Sequence, residues 1–222
     1  MRVLIVLGEI NKAGVANAAL NFYRVCNKYY KNLIGFDIVS TVEPSASLKS
    51  EFLDNGTKYF VVERIKNQGF RRYIRSIRSL IQSNGPYCAV HSHLGGFNWL
   101  VCKAAKKEKV SVRIAHAHGS AGPNKMYDFC VSKLLSILNR KYSTMRFACS
   151  NKSGKYTFKK DFEFLPNVIS TDKSKFDMAR NMYDELGIDE KTKIIGYLGL
   201  FEGQKNATYL VDIMKKYKTE KV

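Results

Sequence analysis

Short runs of β-branched residues alternate with helix-period segments along most of the chain, and this alternation constrains the fold more than any other feature. It predicts strands near residues 3–7, 36–39, 59–62, 88–91, 112–115 and 146–149, with helices near 15–27, 47–55, 71–83, 97–107 and 126–142. Such repetition is typical of parallel βαβ units rather than of a sandwich or a bundle. We therefore expect an α/β fold, a doubly wound Rossmann-like parallel sheet whose ligand crevice lies at the carboxyl ends of the strands.

The chain length predicts one complete domain and part of another. Its 222 residues exceed one typical core but fall short of two ordinary domains. A polar, Lys-rich stretch ends at the turn-forming pair Pro166 and Asn167, where we place the boundary between a first domain (1–167) and a second (168–222). The second domain has a predicted helix, strand and helix at 174–186, 193–198 and 206–217. Because a doubly wound domain needs several strands, we expect this second domain to be incomplete.

Composition argues against membrane-spanning, secreted and disulfide-rich classes. No run of about 18 uncharged apolar residues occurs, and the apolar start of the chain is too short for a secretory signal. A soluble, cytoplasmic protein is therefore expected. The five cysteines are scattered through apolar segments, which indicates reduced packing residues rather than a disulfide framework or a zinc motif.

Positive charge is concentrated in the first domain, where residues 1–170 hold 27 Lys and Arg against 10 Asp and Glu. No acidic residue occurs from Arg64 to Lys107. The predicted helix at 71–83 has an apolar stripe flanked by Arg71, Arg72, Arg75 and Arg78. Two interpretations stay open, an ordinary solvated face and a surface for anionic lipid. A nucleic-acid partner is not expected, because no helix-turn-helix, zinc or aromatic RNA-binding signature accompanies the charge.

A loop containing Gly8 and Gly14 joins the first strand to the first helix. It matches neither the dinucleotide-binding fingerprint nor a Walker loop, so NAD and ATP are disfavoured as cofactors. Gly14 stands at the entrance of the helix, where a phosphate or a sugar could approach the free backbone N–H groups. The alternative is an ordinary flexible βα turn.

All four histidines of the chain fall in two H-x-H pairs, His91 with His93 and His116 with His118. Residues i and i+2 share one face of a strand, so each pair can project both rings into one crevice. Substrate binding and catalysis are the favoured interpretation, because a neutral imidazole can hydrogen-bond hydroxyls near pH 7. Strand-end packing and zinc binding are the alternatives, and zinc is disfavoured because no Asp, Glu or Cys stands at a spacing that would complete the set.

A glycine-containing loop follows the predicted strand of the second domain and ends in Gln204-Lys205-Asn206, just before a predicted helix. A positive charge at that position suits a diphosphate. Lysine before a helix is also commonplace, so the motif alone is weak.

Taken in order, these motifs resemble the retaining glycosyltransferases of family four, which have the GT-B fold and assemble capsule, exopolysaccharide and lipopolysaccharide. The similarity runs from residue 1 to about 217. It is carried by the first-strand loop with Gly14-Val-Ala-Asn17, by Val90-His-Ser-His and Arg113-Ile-Ala-His-Ala-His, and then by Phe147-Ala-Cys-Ser150, Leu165-Pro-Asn167 and Gly196-Tyr-Leu-Gly with Gln204-Lys205-Asn206.

The resemblance implies two Rossmann-like domains facing a cleft, with the acceptor on the first and a UDP- or GDP-linked sugar on the second. It implies no cofactor and no metal. His118 is the implied ligand of the transferred sugar, Lys205 holds the diphosphate, and Gly14 contacts the donor. The further substrate-binding residues are Asn17, His91, His93, His116, Ser150 and Asn167. The expected acceptor is a saccharide or is lipid-linked, at the inner face of the plasma membrane.

Two departures from the family pattern affect the donor site. Leu200 stands where the family has an arginine that partners the lysine, and the acidic donor-binding motif has no counterpart up to Val222. We therefore expect the donor site of this chain to be incomplete as it stands, with a second chain supplying the donor domain as one way to complete it. The alternative function is a catalytically silent subunit that binds the acceptor or recruits the enzyme to the membrane; a metallohydrolase built on the H-x-H pairs is a weaker third.

Overall fold

The first part of the chain is built around a seven-stranded parallel sheet. The structure is a computed structural model, and it describes residues 1–11, 14–30, 33–53, 56–119, 125–167, 181–199 and 206–219. It divides into two compact units, Met1–Ser170 and Thr171–Val222. The prediction of domains at 1–167 and 168–222 stays a prediction.

The strands lie in the order β3-β2-β1-β4-β5-β6-β7, and every neighbouring pair is parallel. The order reverses between β1 and β4, which makes this the switch point of a doubly wound sheet. The strands are β1 (Arg2–Val6), β2 (Gly35–Ser40), β3 (Tyr59–Val61), β4 (Ala89–Ser92), β5 (Val112–Ala117), β6 (Met145–Ala148) and β7 (Glu163–Phe164).

Helices cover both faces of the sheet. Those of the first unit are α1 (Val15–Tyr30), α2 (Ala46–Leu53), α3 (Ile65–Asn84), α4 (Asn98–Lys107), α5 (Lys125–Tyr142) and α6 (Asn151–Thr157), and a 3₁₀ turn (Gly95–Phe97) precedes α4. On one face, Leu20 and Tyr23 of α1 pack with Ile5 and Ile38. On the other, α3 and α4 pack against Val6 and Val90. Successive apolar residues of β1 point to opposite faces of the sheet, so this strand contributes side chains to both cores.

The amino-terminal ends of the strands are joined through one buried carboxylate, Asp37. It accepts hydrogen bonds from Arg2 Nε at 2.8 Å, from the backbone N–H of Lys58 at 2.9 Å and from the hydroxyl of Tyr87 at 2.7 Å. These groups belong to the starts of β1 and β2 and to the residues just before β3 and β4. We call this group the Asp37 clasp.

Several sequence predictions need correction. Helix α3 begins at Ile65, earlier than predicted, and Gly69, with φ 73° and ψ 168°, kinks it. Helix α6 and the two-residue β7 were not predicted. Residues 193–198 form no strand: Ile194, Ile195 and Leu198 are 40%, 61% and 102% exposed, and a strand needs a paired neighbour to satisfy its backbone. Cys102 is buried as expected, but Cys130 is exposed.

The described part of the second unit consists of two helices and an extended segment. Helix α7 (Met182–Leu186) ends at Gly187, which adopts the left-handed conformation common after helices. Helix α8 (Ala207–Thr219) confirms the last predicted helix. Within 181–199 and 206–217 no side chain is buried. No helix in the described part of the chain is long and apolar enough to cross a membrane.

Candidate functional site

The site lies at the carboxyl edge of the sheet, outside the ends of β1 and β4. A cleft of about 530 Å³ opens there. Gly8 and Glu9 enter it from the end of β1, Thr41 from the end of β2 and His93 from the end of β4. Much of the remaining lining is apolar: Leu7, Val15, Ala16, Ile65, Leu94 and Phe97. Arg64 forms an ion pair with Glu9 beside this lining. A crevice at the switch point is where open α/β sheets bind ligands.

The four histidines form a row beside this cleft. His91 lies in register with Ile5 of β1 and with Ile114 of β5. Beyond the strand, the backbone N–H of His93 continues the ladder by donating to Val6. Since residues i and i+2 share a face, both pairs project to the side of the sheet that α1 covers. Each pair thus has both rings on one side of the sheet, as the H-x-H spacing predicts, and the two pairs lie next to each other there.

The rings are stacked closely enough to interact. Ring centroids are 4.2 Å apart within each pair, and the rings of His91 and His116, from neighbouring strands, are 5.4 Å apart and nearly parallel. Tyr23 of α1 closes one end of the row, with its hydroxyl 2.7 Å from His91 Nδ1. Asn167 closes the other, with Oδ1 3.1 Å from His118 Nδ1. In the middle, His93 Nδ1 lies 2.9 Å from His118 Nε2.

Burial keeps these imidazoles neutral. It is the main cause that holds the pKa of His91 and His93 well below the ordinary 6.5, and the neighbouring histidines lower the pKa further. Burial lowers the pKa of His116 to about 3, although the backbone of Leu165 favours the protonated form. The pKa of His118 is also lowered by burial, and the hydrogen bond to Asn167 partly offsets this. At pH 7 the row therefore offers lone pairs and N–H donors rather than positive charge.

His118 is the member of the row best placed to meet a ligand. It is half-buried, whereas the other three histidines are at most 6% exposed. Both of its ring nitrogens are engaged, one by His93 and one by Asn167, an exposed residue. A substrate hydroxyl can reach His118 Nδ1 only if it displaces the Asn167 side chain. Because Asn167 is exposed, its side chain has room to move away. The predicted role of His118 as a sugar ligand stays a prediction.

The structure places the other predicted site residues at several separate positions. Gly14 is exposed, has φ 94° and accepts the first helical hydrogen bond of α1, so it does form the helix entrance. Asn17 lines a separate groove between α1 and α2, with Asn11 and Arg24. The Ser150 hydroxyl accepts from the backbone N–H of Ser153 and thereby caps α6. Lys205 and Leu200 lie outside the described residues. Substrate roles for these positions stay predictions.

Sequence reasoning missed three side chains of the site. Tyr23 orients His91, and Arg64 and Phe97 line the cleft. A signal for Tyr23 was available, because it continues the buried helical stripe of Ala16, Ala19 and Leu20 on α1. That same stripe leaves Asn17 on the outer face of the helix. No comparable signal marks Arg64, in the connection from β3 to α3, or Phe97, in the 3₁₀ turn before α4.

Comparison with known proteins shows what the chain is similar to. No protein-family model matches it. The protein EpsF of Bacillus subtilis (strain 168), which is named as a glycosyltransferase, is 27% identical over 227 residues, 96% of this chain and 57% of EpsF. This chain thus spans little more than half the length of that relative.

Two solved structures share the fold over nearly the whole chain. Alr3699/HepE of Anabaena, crystallised with UDP and glucose, gives a TM-score of 0.68 at 14% identity over 97% of this chain and 58% of HepE. A glycosyltransferase of Rickettsia africae ESF-5 gives 0.65 at 14% identity over 98% of this chain and 57% of that protein. These likenesses confirm the predicted fold class, a Rossmann-like α/β fold of the GT-B type.

Proposed function

We propose that this chain is the acceptor-side part of a retaining glycosyltransferase that moves a sugar from a UDP- or GDP-linked donor to a growing cell-surface polysaccharide or a lipid-linked acceptor. The observation that carries the proposal is the switch-point cleft with the row of neutral histidines at its side. The similarity to EpsF and the fold shared with HepE support it. The nucleotide sugar is a co-substrate, and the transfer step needs no cofactor.

The cleft suits an amphipathic acceptor. Its wall is apolar around Ile65, Leu94 and Phe97, while Arg64 and Thr41 offer polar contacts at the same opening. Apolar walls with a few placed polar groups are typical of small-molecule sites. A sugar carried on an apolar stem would match both parts of this lining.

The chemistry we propose is attack on the same face of the sugar from which the nucleotide leaves. The bond from the anomeric carbon to the phosphate oxygen breaks, the bond to the acceptor oxygen forms, and the acceptor proton goes to the departing phosphate. Negative charge develops on the diphosphate, so fixed positive groups stabilise the transition state. Lys205 is proposed for that role from its sequence motif, and His118 is proposed to bind the transferred sugar.

The test is a transfer assay with the protein that carries this sequence, a panel of UDP- and GDP-linked sugars and a lipid-linked saccharide, with products detected by mass spectrometry. His118→Ala should lower turnover by about 10²-fold, the size expected for a lost transition-state hydrogen bond. Asn84→Ala, at the amino-terminal edge of the sheet, is the matched control and should keep full turnover. Equal turnover in both variants would refute the role of His118.

Two further readouts separate the finer parts of the proposal. Proton NMR of the product gives the anomeric configuration, and an inverted product would contradict retention. If the protein binds the acceptor but transfers from none of the donors, even when a chain with the donor domain is added, the transferase proposal fails and the acceptor-binding subunit is supported instead.

A further inference from the structure

Three buried histidines on two neighbouring strands converge on one point. One ligand nitrogen from each of His91, His93 and His116 lies within 4.8 Å of those of the other two. All three side chains are at most 6% exposed. Among the described residues, Nε2 of His91 and Nε2 of His93 make no hydrogen bond, and at most one ring nitrogen of His116 has a partner, the backbone of Leu165. Buried polar atoms without a partner are costly, about 1 to 3 kcal/mol each, so such a concentration calls for a ligand.

The existing hydrogen bonds use Nδ1 of His91 and of His93 and leave the Nε2 atoms of these rings available to a ligand. His91 Nδ1 meets the Tyr23 hydroxyl at 2.7 Å, and His93 Nδ1 meets His118 Nε2 at 2.9 Å. If each Nδ1 carries the proton and donates it to these acceptors, Nε2 of His91 and Nε2 of His93 each keep a lone pair free for a metal ion. Histidine ligands of metals are normally oriented in this way, with the second ring nitrogen donating to a neighbouring acceptor.

We propose that His91, His93 and His116 together bind one divalent transition-metal ion, with Zn²⁺ as the ion that this donor set favours. Imidazole nitrogens suit zinc, and three protein ligands leave a fourth position for water or another donor. Tetrahedral zinc with bonds of about 2.1 Å needs ligand nitrogens about 3.4 Å apart, so modest ring rotations would close the site. Tyr23 and His118 act as positioning residues that hold two of the ligands.

One further feature of the site fits this proposal. A small cavity lies beside the rings, lined in part by Phe22, Leu165 and Pro166. The ion would tie β4 to β5 at the edge of the crevice, beside His118, which is proposed above to bind the transferred sugar.

The test measures zinc binding to the tag-free protein. After incubation with Zn²⁺ and gel filtration, elemental analysis should give one zinc per chain, and titration calorimetry should give a single site. Under the same conditions His116→Ala should lose the bound zinc. Tyr23→Phe and His118→Ala should keep the stoichiometry and weaken the affinity by about 10- to 100-fold, the effect typical of lost orienting partners.

Two further measurements check the folding of the variants and the geometry of the site. Circular dichroism checks that each variant keeps the helix content of the parent, and Co²⁺ in place of Zn²⁺ reports a tetrahedral nitrogen site by its visible absorption in the unmutated protein. The proposal is wrong if the folded parent binds no zinc, or if folded His116→Ala binds it as tightly as the parent. Either result would leave the transferase proposal untouched, because that is judged by sugar transfer.

Discussion

Asp37 shows how much one side chain can hold together. Its carboxylate is fully buried and accepts hydrogen bonds from three different parts of the chain. Burial raises the pKa of Asp37, but the hydrogen bonds from Arg2, Lys58 N–H and Tyr87 outweigh this, so the pKa lies below its ordinary value. The ionised form is therefore the one that the folded state stabilises.

Asp37→Asn should lower the free energy of unfolding at pH 7 by about 2 to 3 kcal/mol, because it removes charge-assisted hydrogen bonds. Tyr87→Phe removes one hydrogen bond and keeps the carboxylate, so its cost should be about 1 kcal/mol. Urea denaturation followed by circular dichroism measures both. A cost for Asp37→Asn no larger than that of Tyr87→Phe would contradict the central role of the charge.

The stability that the Asp37 charge provides should depend on pH in one direction. A carboxyl group with a depressed pKa stabilises the fold above its unfolded pKa, about 3.9, and the effect is lost as pH falls through the folded value. We expect the difference between the parent and Asp37→Asn to stay constant from pH 5 to 8 and to shrink below about pH 4. A difference that stays undiminished at pH 3 or varies near neutrality would be inconsistent with this account.

At the residue scale, the sequence identifies the histidines but not how they are arranged. Two H-x-H pairs at strand ends are visible as spacing, and a parallel sheet brings neighbouring strand ends together. The hydrogen bonds that fix the ring orientations are not visible, because Tyr23 and Asn167 lie 68 and 49 residues away from their partners. Such long-range contacts follow from the packing of α1 and of the chain after β7, which no local pattern encodes.

Among the helices, α3 depends on a special backbone conformation at its kink. Gly69 has φ 73° and ψ 168°, a combination that is nearly confined to glycine. A Cβ at this position would meet no atom within 4 Å, so a substitution would act through backbone strain and not through a clash. The kink also sets the position of Phe70 against Phe97 and Trp99.

Gly69→Ala should therefore destabilise the protein by about 1 to 3 kcal/mol. Ser79→Ala, at an exposed position of the same helix, is the control and should change stability by less than about 0.5 kcal/mol. Chemical denaturation distinguishes the two. A neutral Gly69→Ala would mean that the helix can straighten at no cost.

The basic side of α3 is the part of the surface that we expect to bind anionic membranes. Arg71, Arg72 and Arg75 are exposed, whereas Arg78 pairs with Glu108 at 2.6 Å. Each free charge near an anionic surface is worth about 1 kcal/mol, so replacing the three exposed arginines with glutamine should weaken binding to anionic liposomes by about 10²-fold. Salt should weaken the parent in the same assay, because exposed charges are screened beyond about 8 Å at physiological ionic strength.

The control for the α3 prediction removes the same charge elsewhere. Lys152, Lys155 and Lys160 are exposed and lie in and after α6. This helix precedes β7, which is the outermost strand at the end of the sheet away from β3. Their triple glutamine variant should bind liposomes nearly as well as the parent. If both triple variants weaken binding equally, net charge rather than the α3 surface is responsible.

Element prediction failed where tertiary contacts, not local pattern, decide the structure. Helix α6 contains Gly154 and mostly polar residues, so it has no apolar period. It is held by the Ser150 cap and by close packing, since a Cβ on Gly154 would clash with the Phe162 ring. Strand β7 is too short to show an alternation. In contrast, β1 and α4 have strong apolar patterns, and their positions were predicted within about two residues.

At the scale of the molecule, the hydrophobic cores formed by the described residues lie within the first unit. These residues form three clusters of buried apolar side chains, between Leu4 and Phe158. We therefore expect residues 1–167 to fold alone with one cooperative transition and a Tm within about 4 °C of that of the full chain. Differential scanning calorimetry measures this.

A second truncation tests the boundary. A fragment ending at residue 150 lacks Phe158, which is fully buried against α4, β5 and β6. It should unfold at a clearly lower temperature than the 1–167 fragment or fail to fold, because losing a buried phenylalanine costs about 3 to 5 kcal/mol. Equal stability of the two fragments would place α6 and β7 outside the folding unit.

The Asp37 clasp also bears on how such a protein can evolve. The clasp fastens the strands at their amino-terminal edge, while the cleft and the histidine row occupy the opposite edge. Substitutions in the loops around the cleft can therefore alter ligand preference without loosening the fastening that keeps the sheet in register. This separation would let the edge that lines the cleft accept mutations, whereas a substitution at Asp37 itself would cost stability.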